Sequence, residues 1–329
     1  MRAISKSALI RNLTIATIMA LAGVLSQTCV AQTYPTRPVK LVVGFPPGGG
    51  VDINARLLAG KLQELLGGAV VVENRPGAGT NIANEFVAKA APDGHTLLMN
   101  TSAVTINMSL YKNLPFNTLR DFVPVSVFSD SQNIMVVNAA RPYRTVADVL
   151  AAARAKPGAL TYGSAGPGST QHLTAELLKL QTKTDILHIP YKGSAPALTA
   201  LMAGEVDMVF INVPAILQHV KSGRLRPIAA AGARRSELMP EVPTLKESGI
   251  DVVMALWYGV LAPAGTPKEI VQTLAAAIAK AARAPDIKQK LLDQGAEPAP
   301  STPEEFAAII KDEVPKWAEV IKAAGIKPE

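Results

Sequence analysis

VKLVVGFPPGGGVDINARLLAGKLQELL, residues 39–66, holds three kinds of segment in a row. Val39–Gly44 is almost wholly apolar and rich in valine, as a buried strand requires. Phe45–Gly50, FPPGGG, breaks any regular structure. From Val51 to Leu66 the apolar residues Ile53, Leu57, Leu58, Leu62, Leu65 and Leu66 recur with helical spacing, and Gly67-Gly68 ends the run. A strand that enters a helix through a glycine loop is the first half of a parallel βαβ unit.

The same rhythm extends outward. Ala69–Glu73 reads as a strand, Asn74–Gly79 (NRPGAG) as a second glycine loop and Asn81–Ala90 as a helix. Pro92-Asp93-Gly94 is a turn, and Thr96–Met99 is a strand ending at Asn100-Thr101-Ser102. Phe122–Phe128 and Asn133–Asn138 then read as two strands with no long helix between them. The βα alternation resumes with helix 146–155, strand 160–162 and the loop Gly163–Ser169 (GSAGPGS). Helix 170–180, strand 187–189, the loop Pro190–Ser194 (PYKGS) and helix 196–202 follow. Strand 206–211, helix 215–221 and strand 226–231 complete this part. Asp251–Ala262 is a long apolar stretch, and the tail reads as three helices, 267–282, 285–294 and 302–323. The expected fold class is α/β in two domains, 32–125 plus 253–329 and 126–252. Extended segments near Val123–Asn138 and Val252–Ala262 join them. No fixed sequence period is present, which excludes a solenoid.

The chain has 329 residues, 48% hydrophobic and 18% charged, which fits a globular protein and excludes a disordered one. Met1–Asn12 carries Arg2, Lys6 and Arg11 and no acid, Leu13–Leu25 is uncharged, and Cys29-Val30-Ala31 offers small residues for a cut after Ala31. That order marks 1–31 as a secretory signal peptide and implies a periplasmic protein. The apolar core of 13 residues is short of the roughly 20 that a spanning helix needs, which argues against a retained anchor. Gln27 and Thr28 fit lipidation at Cys29 poorly. The cut takes the net charge from +7 to +4 and removes the single cysteine. A weak positive charge with no long Lys/Arg run gives no support for nucleic-acid binding. Four scattered histidines without an HxH or HExxH pair make a metal site unexpected.

FPPGGG, NRPGAG, GSAGPGS and PYKGS share one design: a strand ends, small residues follow and a helix begins. In open α/β sheets, ligands sit beyond the carboxyl ends of the strands. Free N–H groups at helix starts favour anions there. Two such loops from each domain would line a cleft, with Thr101 and Ser102 at a further strand end. Neither GxGxxG nor GxxxxGK[ST] spacing occurs, so no nucleotide cofactor is expected. Asp52 falls in the first turn of its helix, where a carboxylate can cap N–H groups or meet a ligand amino group. His172 is open to a capping or a ligand role, Tyr191 can close the cleft by its ring or hydroxyl, and Lys192 can attract a carboxylate. A Ser/His hydrolase using Ser164 or Ser169 with His172 stays open, although Ser164 is not in a GxSxG context.

The stretches Tyr34-Pro-Thr-Arg-Pro-Val39, Phe45–Asp52 with Ala55-Arg56, Asn74–Gly79, Ala91–Gly94, Tyr162–Gly166 with Gly168, Ser169 and His172, Pro190–Gly193, Gly204–Asp207 and Pro240–Thr244 run in order along nearly the whole mature chain. Together they resemble the solute-binding proteins of tripartite tricarboxylate transporters, the Bug family. The resemblance implies a periplasmic binding protein of two domains and two connecting strands, closing on its solute like a Venus flytrap. It implies ligand contacts from Phe45, Pro47, Gly48, Gly49, Ser164, Gly166, Ser169 and Thr170, and further ones from His172 and Tyr191, largely through backbone groups. The implied partners are a small organic solute, a carboxylate above all, and a membrane permease. A receptor that reads closure as a signal is the alternative partner. No cofactor is required and a monomer is expected. Thr80 departs from the glycine common in relatives, and Asn212 stands near a position often acidic in them.

Overall fold

The segments read from residues 39–66 form β1 (Val39–Val43) and α1 (Gly50–Leu66), and β1 is buried at four of its five positions. The computed structural model describes residues 34–191 and 193–326; the expected leader, 1–31, lies outside them. After α1 come β2 (Val70–Asn74), α2 (Asn81–Ala88), β3 (Thr96–Asn100), α3 (Ala103–Leu110), α4 (Thr118–Asp121) and the long β4 (Phe122–Asn138). Next are α5 (Val146–Ala155), β5 (Thr161–Ser164), α6 (Thr170–Thr182), β6 (Leu187–Pro190), α7 (Ser194–Ala203), β7 (Met208–Asn212), α8 (Val213–Lys221) and β8 (Leu225–Ala230). The chain returns through β9 (Ala255–Pro263) to α9 (Lys268–Arg283), α10 (Pro285–Asp293), β10 (Glu297–Pro298) and α11 (Pro303–Ala323).

The strands join in the order β2-β1-β3-β9-β4-β7-β5-β6, with β8 and β10 also on β4. β1 runs parallel to β2 and β3, and β5 runs parallel to β6 and β7. These are the βαβ units expected from the alternation. β4 belongs to both ends of the sheet. Its residues 122–132 pair antiparallel with β9, and 133–138 pair with β7 and β8.

Strand alternation builds the core around β4. Ile134 and Val136 face a cluster with Leu198, Leu201, Val209 and Ile211. Met135 and Val137 face the other side, with Tyr162, Leu173, Leu178 and Phe210. A third cluster joins Val42, Leu98, Val104, Trp257, Leu261 and Phe306. α11 begins at a capping box, Thr302 with Glu305, and carries Pro303 in its first turn. It bridges two clusters. Phe306 and Ile310 join the one around Val42, whereas Trp317, Val320 and Ile321 join the one around Tyr162.

Two features differ from the sequence expectation. The two strands expected at 122–128 and 133–138 are one, because residues 129–132 pair with β9 and the side chains of Ser129, Asp130 and Ser131 find partners in neighbouring segments. Ser129 Oγ donates to Asn54 Oδ1 (2.7 Å), Ser131 Oγ donates to the Gly295 carbonyl (2.9 Å), and Asp130 Oδ1 accepts from Arg234 (3.2 Å). α3 was not anticipated, since AVTINMSL is short and apolar without a polar face. Val104, Thr105, Ile106 and Asn107 are all buried in it, so no helical stripe is written in the sequence.

Candidate functional site

The β1–α1 loop is fixed by one carboxylate. Asp52 Oδ2 accepts from the Gly48 N–H (2.9 Å) and from Arg56 Nε (3.0 Å), and Oδ1 accepts from Asn74 Nδ2 (2.9 Å). Asn74 Nδ2 also reaches the Phe45 carbonyl (3.0 Å), tying β2 to the loop. The hydrogen bond from Arg56 does most to hold the Asp52 carboxyl down at about 2, outweighing its burial. Gly48 stands at φ 83°, a conformation that favours glycine.

The loop beyond β2 lies against this one. A methyl group on Gly44 would sit 2.6 Å from Thr80 Cβ, so only glycine permits the approach. Thr80 itself has φ 84°, which explains why a glycine would be at ease there. Its hydroxyl accepts from Asn84 Nδ2 and Asn100 Nδ2, both at 3.2 Å.

α3 supplies the next wall. Its start is largely self-satisfied: the Thr101 N–H donates to Asn100 Oδ1 (2.8 Å) and the Ala103 N–H donates to Thr101 Oγ1 (3.2 Å). Ser102 is fully buried and its hydroxyl has no partner among the described residues. Behind α3, Thr105 Oγ1 donates to Glu313 Oε2 (2.7 Å) and Trp257 Nε1 donates to Oε1 (3.1 Å). Glu313 therefore ties α3 and β9 to α11, and burial pushes its carboxyl up.

The β5–α6 loop is held by neutral rings. His172 stacks on His188 at 4.1 Å between centroids, and His188 stacks on Tyr162 at 4.7 Å. His172 Nδ1 accepts from the Gly168 N–H (3.0 Å), so its proton sits on Nε2. Ser164 Oγ lies 2.6 Å from His188 Nε2 and accepts from the Gly166 N–H (3.1 Å). Burial, then the neighbouring His172, pushes His188 down to about 4, and burial lowers His172 as well. Both imidazoles are neutral at neutral pH. The hydrolase pairing with His172 is not formed: Ser164 meets His188, and Ser169 Oγ caps α6 by accepting the His172 N–H (3.3 Å). The nearby Glu176 carboxylate is engaged by the Tyr162 hydroxyl (2.5 Å) and Lys179 (2.7 Å).

These segments enclose a cavity of about 700 Å³. Gly44–Pro46 and Gly50-Val51 line it, with Pro76–Thr80 save Ala78, Thr101–Ala103, the α3 residues Ile106, Asn107 and Leu110, and Tyr111. Pro167–Thr170 and, from β9, Leu256 and Tyr258 complete the wall. Of the residues singled out in the sequence, Phe45, Thr101, Ser102, Ser169 and Thr170 are on this wall. His172 lines an adjoining cavity of about 460 Å³, together with His188 and Gly168. Pro47, Gly48 and Gly49 are exposed at the loop tip, and Asp52, Ser164, Gly166 and Tyr191 are not on the cavity wall. Asp52 anchors the loop ahead of α1 and is not on the cavity wall: its bonds go to the Gly48 N–H, which precedes the helix, and to the Arg56 and Asn74 side chains. Tyr191 packs beside the cluster of Leu198 and Val209. Lys192 lies outside the described residues. Reasoning from sequence missed Ile106, Leu110 and Tyr111, for want of a recognised α3. Leu256 and Tyr258 fall in the apolar stretch 251–262, to which the sequence gives no site role.

Among the described residues no group of three or more His, Cys, Asp or Glu could hold a metal. No described helix is long and apolar enough to cross a membrane.

Residues 54–326 match the model of the tripartite tricarboxylate transporter family receptor. BugT of Bordetella pertussis is 39% identical over 300 residues, covering 90% of this chain and 92% of that protein. An R. palustris protein solved with adipate is 38% identical, with a TM-score of 0.69 over 90% of this chain and 100% of that one. A solute-binding protein from Polaromonas, solved with no ligand, is 31% identical, with a TM-score of 0.82 over 88% and 99%. The chain belongs to the tripartite tricarboxylate transporter receptor family, whose members are periplasmic solute-binding receptors and not enzymes.

Proposed function

We propose that this protein captures a small carboxylate-bearing solute in the 700 Å³ cavity and hands it to the permease of a tripartite transporter. The observation that carries this reading is the convergence of two helix starts, α1 and α6, and of the unpartnered Ser102 hydroxyl on one cavity whose wall comes from both ends of the sheet. Helix starts present N–H groups and a positive dipole end, the arrangement that holds an anion without a side-chain cation.

The two ends of the sheet act as domains, 32–125 plus 253–329 and 126–252, that close about β4 and β9. Phe45, Thr101, Ser102, Ser169 and Thr170 meet the solute in the present arrangement, and closure brings the loop tips at Pro47–Gly49 and Gly166 onto it. The likeness is greater to the ligand-free Polaromonas protein (TM-score 0.82) than to the adipate-containing one (0.69), although the sequence identity is lower. That order is what a hinge that differs with ligand would give, and it supports closure about β4 and β9. Delivery to the periplasm would follow a cut after Ala31, and the protein acts as a monomer.

A thermal-shift panel of small organic acids, amino acids and neutral amides tests the reading. The protein is first unfolded and refolded to strip any carried-over ligand. A solute at 100 times its Kd adds about 2.7 kcal/mol of stability, a rise of several degrees in Tm. A rise with acids alone supports carboxylate capture. A rise with neutral amides alone contradicts it.

A further inference from the structure

The wall of the large cavity carries no Asp, Glu, Lys, Arg or His among the described residues. Three titratable groups that sit near the wall are spent elsewhere. Asp52 is buried in its own loop against Arg56, and the two histidines of the adjoining cavity are neutral. The wall also changes character along one direction. Ser102, Ile106 and Leu110 are spaced four apart, so they follow one face of α3 and span about 12 Å. The first offers a buried hydroxyl without a partner, and the next two offer only hydrocarbon. Ser169 and Thr170 stand on the wall at the start of α6, and the ring of Tyr111 follows Leu110 at the far end of α3.

We propose that the solute is a monocarboxylate with an apolar chain or ring as its body, a narrowing that rests on the carboxylate reading above. Its single carboxylate lies toward Ser102, Ser169 and Thr170, and its body lies along Ile106, Leu110 and Tyr111. One anionic end is served by helix starts and hydroxyls. At the other end a second carboxylate would meet no positive charge: the polar side chains of the wall there are Tyr111 and Asn107, and the Asn107 amide already donates to the Gly79 carbonyl and Asn81 Oδ1. An apolar body there instead gains from the area it removes from water.

Matched probes separate the two ligand classes. Isothermal titration of the refolded protein at pH 7.5 compares hexanoate with adipate, and phenylacetate with 1,4-phenylenediacetate, with hexanamide as the uncharged control. Each monocarboxylate is expected to bind at least tenfold more tightly than its dicarboxylate twin. Leu110→Lys places a cation at the apolar end and is expected to move that ratio at least tenfold toward the dianion. Leu110→Ala, a milder change, should weaken phenylacetate and leave the preference for one charge in place. Tighter binding of adipate than hexanoate by the unaltered protein overturns this inference and leaves carboxylate capture standing. Equal binding of hexanamide and hexanoate overturns carboxylate capture and leaves the apolar body standing. No binding of any probe overturns the apolar monocarboxylate.

Discussion

The β1–α1 and β5–α6 loops do the same task with opposite chemistry. The first is held by an ionised carboxylate that Arg56, Asn74 and the Gly48 N–H stabilise. The second is held by stacked, uncharged imidazoles, one on the Ser164 hydroxyl and the other on the Gly168 N–H. Both ways keep net charge off the cavity wall: one neutralises it by pairing, the other prevents it by burial. A wall prepared like this can receive an anion on backbone N–H groups without competition from a resident carboxylate. The two devices differ in what breaks them, and that makes the comparison testable.

The largest effect is expected from Asp52→Ala. It removes the three hydrogen bonds that a buried carboxylate accepts and leaves the half-buried Asn74 amide one partner short, at a cost of about 3 kcal/mol in denaturant unfolding. Next comes acid. The unfolded chain protonates His188 near its ordinary 6.5, whereas the folded protein keeps it neutral down to about 4. Its contribution is therefore complete above pH 6.5 and falls away as pH drops toward 4. Between pH 6.5 and 5 the loss is about 2 kcal/mol. His188→Gln should flatten that part of the stability profile. Asp52 behaves as the contrast: its carboxyl is held at about 2, so its contribution is present above 3.8 and lost only between 3.8 and 2. Loosening at pH 5 that His188→Gln leaves unchanged would break the comparison. Ser164→Ala removes the hydroxyl between His188 and Gly166 and should cost about 1 kcal/mol. The smallest effect is expected from Arg56→Ala, because this side chain is 55% exposed and water replaces it at the rim. A larger loss from Arg56→Ala than from Asp52→Ala would mean that the ion pair, rather than the accepted backbone and amide bonds, holds the loop.

Most of the architecture was legible because period and punctuation agree. Val39–Gly44, the glycines of FPPGGG and the spacing from Ile53 to Leu66 each point to the same βα unit, and the helix read at 146–155 has those bounds in the structure, where Thr145 caps it. β4 was read as two strands because Ser129-Asp130-Ser131-Gln132 looks like a loop. Its pairing with β9, and the side-chain partners Asn54, Gly295 and Arg234, are all distant in sequence. α3 was invisible for the opposite reason: it is buried all round and shows no stripe. That gap hid Ile106 and Leu110, hence the apolar side of the cavity. The loops themselves were found, but which of their residues face inward depends on hydrogen bonds such as Asp52 to Asn74, which no spacing encodes. The partner of Ser164 was misjudged in the same way. His172 is near in sequence, yet parallel pairing of β5 with β6 sets Ser164 opposite Pro190, two residues from His188.

The most direct test of solute capture between the loops is isothermal titration of the best-binding acid against the unaltered protein and against Ser169→Phe, which fills the cavity from the α6 side. A one-to-one isotherm for the first, lost in the second while circular dichroism shows the same fold and Tm falls only by the few degrees that the missing α6 cap costs, is the expected result. Equal affinity in both would contradict capture at this cavity.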